Sequence, residues 1–169
     1  MSRKLPREIC RNSVLLFEKD VVTLRKQILW ASHKSSLIKT FLSTISFKMK
    51  SKIRHKLSIK GVLTNVCSFH SPRQTDADGT EWNGAQIDLI LVRGDHVSTL
   101  CEMKYSQSEF VVTRDYEERI RERNATFVHF TKTRDAIQTV LVTTYGLKSN
   151  QYSGVFYDTV TMDDLFRAE

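Results

Sequence analysis

The chain has 169 residues, of which 27% are charged and 40% hydrophobic, and a formal net charge of +7. That length is enough for one substantial core, and the balance excludes disordered and membrane-embedded classes. The three cysteines, Cys10, Cys67 and Cys101, are far apart and form no CxxC pair, which excludes a zinc finger and a disulfide framework.

No apolar run approaches a membrane span, and the basic N-terminus lacks the apolar core of a secretion signal, so a cytoplasmic chain with no membrane partner is expected. The charge is unevenly spread. Residues 1–60 hold 15 Lys and Arg against three Asp and Glu, and residues 61–169 hold 11 against 16. A cationic block of that density attracts polyanions through counterion release, which makes DNA the expected partner. The competing reading is a solvated helix face.

In chain order, Val14, Phe17, Val21, Leu24 and Ile28 recur at three- and four-residue spacing and predict an amphipathic helix within residues 12–30. Ile38, Phe41, Ile45, Met49 and Ile53 predict a second over residues 36–57. Gly61 ends the helical pattern, and the period changes to two, as it does where helix gives way to sheet. The reading is a basic helical segment over residues 1–57 followed by an α/β domain over residues 58–169.

Within that domain, residues 62–69 predict a first strand and residues 71–79, with Pro72 and Asp78-Gly79, a loop. Residues 85–92 and 97–105 predict a hairpin. A helix is expected from an N-cap at Thr113, with Asp115, Glu117 and Glu118 favoured near the positive end of its dipole and Tyr116, Ile120 and Phe127 on its buried side. Residues 139–145 and 154–158 predict two more strands, and residues 161–166 a short closing helix.

The chemistry concentrates in Gln86-Ile87-Asp88 and Glu102-Met103-Lys104 on the two strands of the hairpin. Side chains alternate across a strand, so Glu102 and Lys104 share one face. If residues 94–96 form a three-residue loop, Asp88 lies opposite Glu102 and Gln86 opposite Lys104, while Ile87 pairs with Met103 and Leu89 with Cys101 on the other face. A two-residue loop would instead mix a carboxylate into the apolar face, so the first register is expected. Two facing carboxylates call for a cation between them, and a hard divalent ion is the natural one. The expected cofactor is Mg2+, with Mn2+ as a substitute, held by Asp88 and Glu102. Lys104 would stabilise charge developing on a phosphate, and Gln86 would hold substrate or water. An isolated ExK tripeptide is usually no more than exposed strand surface.

At these residues the sequence resembles the PD-(D/E)XK nuclease superfamily, with Asp88 at the first acidic position and Glu102-Met103-Lys104 at the (D/E)XK element. The stretches GAQIDLI, CEMKYSQSEF, TTYGLKSNQYSG and TMDDLF make it similar to the C-terminal domain of bacterial and archaeal-type AAA+ ATP-binding proteins. The resemblance implies a restriction-endonuclease-like α/β fold, a central mixed sheet flanked by helices and preceded by N-terminal helices, and a nuclease-like site for Mg2+. An ATPase module or a second copy of the chain is a further expected partner. Two features depart from it. No GxxxxGK[ST] loop occurs, so ATP hydrolysis is not expected of this chain. Many members place an acidic residue on the helix before the first strand, and residues 41–57 contain no Asp or Glu.

His33, His55, His70, His96 and His129 are scattered and read as surface or loop residues. Arg119, Arg121 and Arg123 interleave with Glu117, Glu118 and Glu122 and read as an exposed, salt-bridged helix face. Two functions follow as expectations: Mg2+-dependent phosphodiester hydrolysis of DNA, or a catalytically inactive module that binds DNA or a partner chain.

Overall fold

Residues 47–166 are described by the computed structural model. The helix expected within residues 12–30 and the first part of that expected over residues 36–57 lie outside the described residues. The end of the second is helix α1 (Phe47–Lys56). Its Ile53 is fully buried in a cluster with Leu89, Leu91, Cys101, Val140 and Val160, against which Leu57 also packs. The helix is closed at Ser58 and not at Gly61. Ser58 adopts a left-handed φ of 57°, and the amides of Ser58 and Ile59 turn back to the carbonyls of His55 and Arg54. The Arg54 guanidinium then clamps the outgoing chain by donating to the carbonyls of Lys60 and Val62.

A central mixed sheet of five strands follows, in the spatial order β1-β4-β5-β6-β7. Its strands are β1 (Thr64–Ser71), β4 (Ala85–Arg93), β5 (Val97–Lys104), β6 (Ala136–Thr143) and β7 (Asp158–Thr161). β1, β4 and β5 run antiparallel, whereas β6 lies parallel to β5 and β7 parallel to β6. Residues 94–96 form the three-residue hairpin loop that the sequence predicts. His96 closes it at a φ of 63°, the left-handed position such loops require. Within residues 71–79 the chain is more ordered than a plain loop, because β2 (Gln74–Thr75) pairs with β3 (Glu81–Trp82) in a small ribbon.

A parallel strand pair needs a long crossover, and helix α2 (Arg114–Thr131) supplies it between β5 and β6. The Thr113 hydroxyl caps its start by accepting from the Tyr116 amide, and Lys132 closes its end in the left-handed region. The final strand differs from its expected position. Residues 153–155 form a 3-10 turn, and the strand begins only at Asp158, where pairing with Val140 becomes available. Helix α3 (Met162–Phe166) then places Leu165 in the same cluster as Ile53.

The sheet is covered on both sides. α1 and α3 pack on one face, and α2 covers the other through Phe127 and Ile120. No helix among the described residues is long and apolar enough to cross a membrane.

Candidate functional site

The hairpin register is the one the sequence favours: Leu89 faces Cys101, Ile90 faces Leu100, and the pairing continues to Val92 and Ser98. What the sequence does not show is an irregularity in β4. Ile87 and Ile90 are three residues apart, yet both lie in the α2-side cluster with Phe69, Leu100 and Phe127. Leu89 and Leu91 lie in the opposite cluster, together with Cys101 and Met103. Strict alternation cannot produce this, and the β1–β4 register accordingly shifts between Cys67 and Phe69, one residue of β1 facing two of β4. Such a bulge re-aims the side chains before it. The expected pairing of Ile87 with Met103 is therefore replaced by burial of Ile87 on the other side of the sheet.

The consequence for the four candidate residues is direct. Asp88 and Gln86 flank Ile87 and point away from α2. Both are exposed, and the Gln86 Nε2 donates to Asp88 Oδ1 at 2.7 Å. Glu102 lies on the α2 face, where its Oε1 accepts from the Tyr116 hydroxyl at 2.6 Å. Lys104 Nζ stands 3.2 Å from the same oxygen, and Arg123 Nη1 pairs with Oε2. Two couples form, Gln86 with Asp88 and Glu102 with Lys104. With Ala85 and Ile87 buried on the α2 side and Gln86 and Asp88 bonded to each other on the face opposite, the expected convergence of Asp88 with Glu102 and Lys104 does not form.

Comparison with known proteins found no matching family model, no matching curated protein and no matching solved structure.

Tyr116 and Arg123 take the places around Glu102 that a metal and its waters would need. Arg123 was expected on the exposed face of α2, but its side chain is only 13% exposed. The signal for it is present in the spacing: residues 116, 120, 123 and 127 fall on one helical stripe, the stripe whose apolar members were expected to be buried. Of the other two arginines read as a salt-bridged face, Arg121 pairs with the half-buried Glu117, whereas Arg119 donates to the Asp115 carbonyl; the exposed pair on this helix joins Arg114 to Glu118.

The electrostatics follow from this enclosure. Burial by itself pushes the Glu102 carboxyl up, but Arg123, the Tyr116 hydroxyl and Lys104 outweigh it and hold the carboxyl below its ordinary value. Burial and the Glu102 charge push the Tyr116 phenol well above its usual range. Cys101, on the other face of β5, is pushed by burial to about 12, which leaves it a packed thiol with no nucleophilic thiolate at neutral pH. Lys104 Nζ and the Arg119 guanidinium lie 5.5 and 5.2 Å from the Tyr116 ring centre, so the phenol also gathers two partly hydrated cations.

These residues do not fit a divalent ion. Both Glu102 oxygens are engaged by donors, and a cation placed there would face Arg123 and Lys104 at short range. No group of three or more His, Cys, Asp or Glu among the described residues could hold a metal. The arrangement can hold one ionised carboxylate rigidly and present Lys104, 41% exposed, beside Arg119 at the surface.

Proposed function

We propose that this chain is a PD-(D/E)XK-type nuclease-like module, related to the C-terminal part of AAA+ ATP-binding proteins, that binds DNA without cutting it. The observation that carries the proposal is the Arg123–Glu102 pair. A carboxylate closed off by a guanidinium, a phenol and an ammonium has no oxygen free of a donor for a catalytic ion, and Asp88 is bonded to Gln86 on the side of β4 away from the α2-facing Ile87. DNA is the preferred ligand because residues 1–60 carry five basic residues for every acidic one, a density that favours phosphate backbones.

A second reading, Mg2+-dependent hydrolysis of DNA, is favoured by one observation: Glu102 and Lys104 share a face with their charged atoms 3.2 Å apart. It requires Arg123 to leave Glu102. The two separate in a paired experiment with the intact chain. Calorimetric titration with Mg2+ and with Mn2+ is expected to give no binding heat, and linear, branched and single-stranded DNA are expected to survive incubation with either ion. Saturable metal binding together with cleavage that Lys104→Ala abolishes would establish hydrolysis in place of the binding role.

A further inference from the structure

A cleft of about 780 Å³ opens along the flank of α2, away from Glu102, within the roughly 300–1,000 Å³ typical of ligand sites. One wall is a stripe of α2 at helical spacing, with Arg121, Ala125 and Val128, and the floor is β6 at Ile137 and Thr139. Gly154 and Tyr157 of the segment before β7, and Trp82, complete the lining.

Three features make this a built site more than a gap in packing. Trp82 is fixed twice: its indole N–H donates to Asp76 Oδ2 at 2.9 Å, and its ring stacks on His129 at 4.1 Å. His129 is itself held by Asp76, 2.8 Å from the same carboxylate oxygen. Tyr157 is anchored at its backbone by a 2.8 Å hydrogen bond from its amide to the Thr139 carbonyl, and among the described residues it is 69% exposed. Asn124 donates to Thr139 at 2.7 Å, and its carbonyl oxygen, buried in the same wall, has no partner among the described residues.

We infer that this cleft takes an unstacked base of single-stranded DNA, with Tyr157 as the stacking surface and Arg121, oriented by its 2.6 Å pair with Glu117, beside the phosphate. Aromatic rings next to a guanidinium are the combination that holds single strands without sequence preference, since every base has a face to stack. An exposed phenol costs little to order and loses water-facing apolar area on stacking. The inference rests on the DNA-binding reading, but it adds a second locus and a strand preference that the basic segment alone would not supply.

Gly154 makes the test clean. A Cβ added there meets no atom within 4 Å, so Gly154→Leu starts from open space at the cleft and is expected to obstruct it. Tyr157→Ala removes an exposed ring. With the intact chain and fluorescein-labelled dT12, fluorescence anisotropy is expected to show each variant binding roughly tenfold more weakly than wild type, with the melting temperature unchanged. Binding to a labelled 20-base-pair duplex should be the same in all three proteins. Wild-type affinity for dT12 in both variants would overturn the inference, as would an equal loss for single strand and duplex. A wild-type chain that binds the duplex but not dT12 would remove the cleft while leaving the DNA-binding reading in place. Failure to bind either probe would remove both.

Discussion

Glu102 shows how one residue's role is set by its neighbours. Its carboxylate is 13% exposed and ringed by Arg123, Tyr116 and Lys104, so removing it strands a buried guanidinium. Two nitrogens of Arg123, Nε and Nη2, are buried with no partner among the described residues, which leaves the pair as its main compensation. Glu102→Ala is expected to lower the unfolding free energy by about 3–5 kcal/mol, read by urea denaturation. The double change Glu102→Leu with Arg123→Met should recover most of that loss, because it removes both charges together. The pH dependence follows the same logic. The folded carboxyl is held below its ordinary value of 4.5, so its stabilisation is fully present above that value and is lost as pH falls through the lower folded one. Between about pH 5 and pH 3, wild type should lose more stability than Glu102→Gln, measured by thermal unfolding at matched ionic strength.

At the scale of elements, local signals are legible where they act through the backbone nearby. The Thr113 cap, the acidic first turn of α2 and the three-residue hairpin loop all depend on residues within a few positions, and all are present. The other end of α2 was less legible, because Lys132 adopts the left-handed conformation at a φ of 51° where glycine would be the usual signal. Lys132 is exposed, and Lys132→Gly is expected to raise stability by about 0.5–1 kcal/mol by removing the left-handed strain, read as an increase in melting temperature. The β4 bulge had no local signal at all. Residues 85–93 read as a regular strand, and the shift arises from how β1 pairs with them, since Phe69 must face Ile87 to complete the cluster with Phe127. That same shift separates Asp88 from Glu102.

For the molecule as a whole, the uneven charge governs behaviour at a distance. The basic excess of residues 1–60 and the acidic excess of residues 61–169 predict that the chain meets DNA through its first third. Duplex binding should therefore fall linearly on a log–log plot against salt, with a slope of about −4 or steeper for four or more phosphate contacts, and should need no divalent ion. A slope near zero in anisotropy titrations would remove the polyanion reading.

The amino-acid sequence by itself determined the alternation of helix and strand, the hairpin register, the pairing of Glu102 with Lys104 on one face, and the charge asymmetry. Each of these depends on periodicity or on neighbours along the chain. Only the tertiary structure decided which way Asp88 faces and what stands beside Glu102. A bulge is fixed by the strand across the sheet, and although the α2 stripe turns Arg123 inward, the residue it meets there, Glu102, lies 21 positions away, so neither the bulge nor this partner is written in local spacing. The physical reason is that a pleated strand has two equivalent sides until a partner chooses between them, and here the choice belongs to β1 and α2.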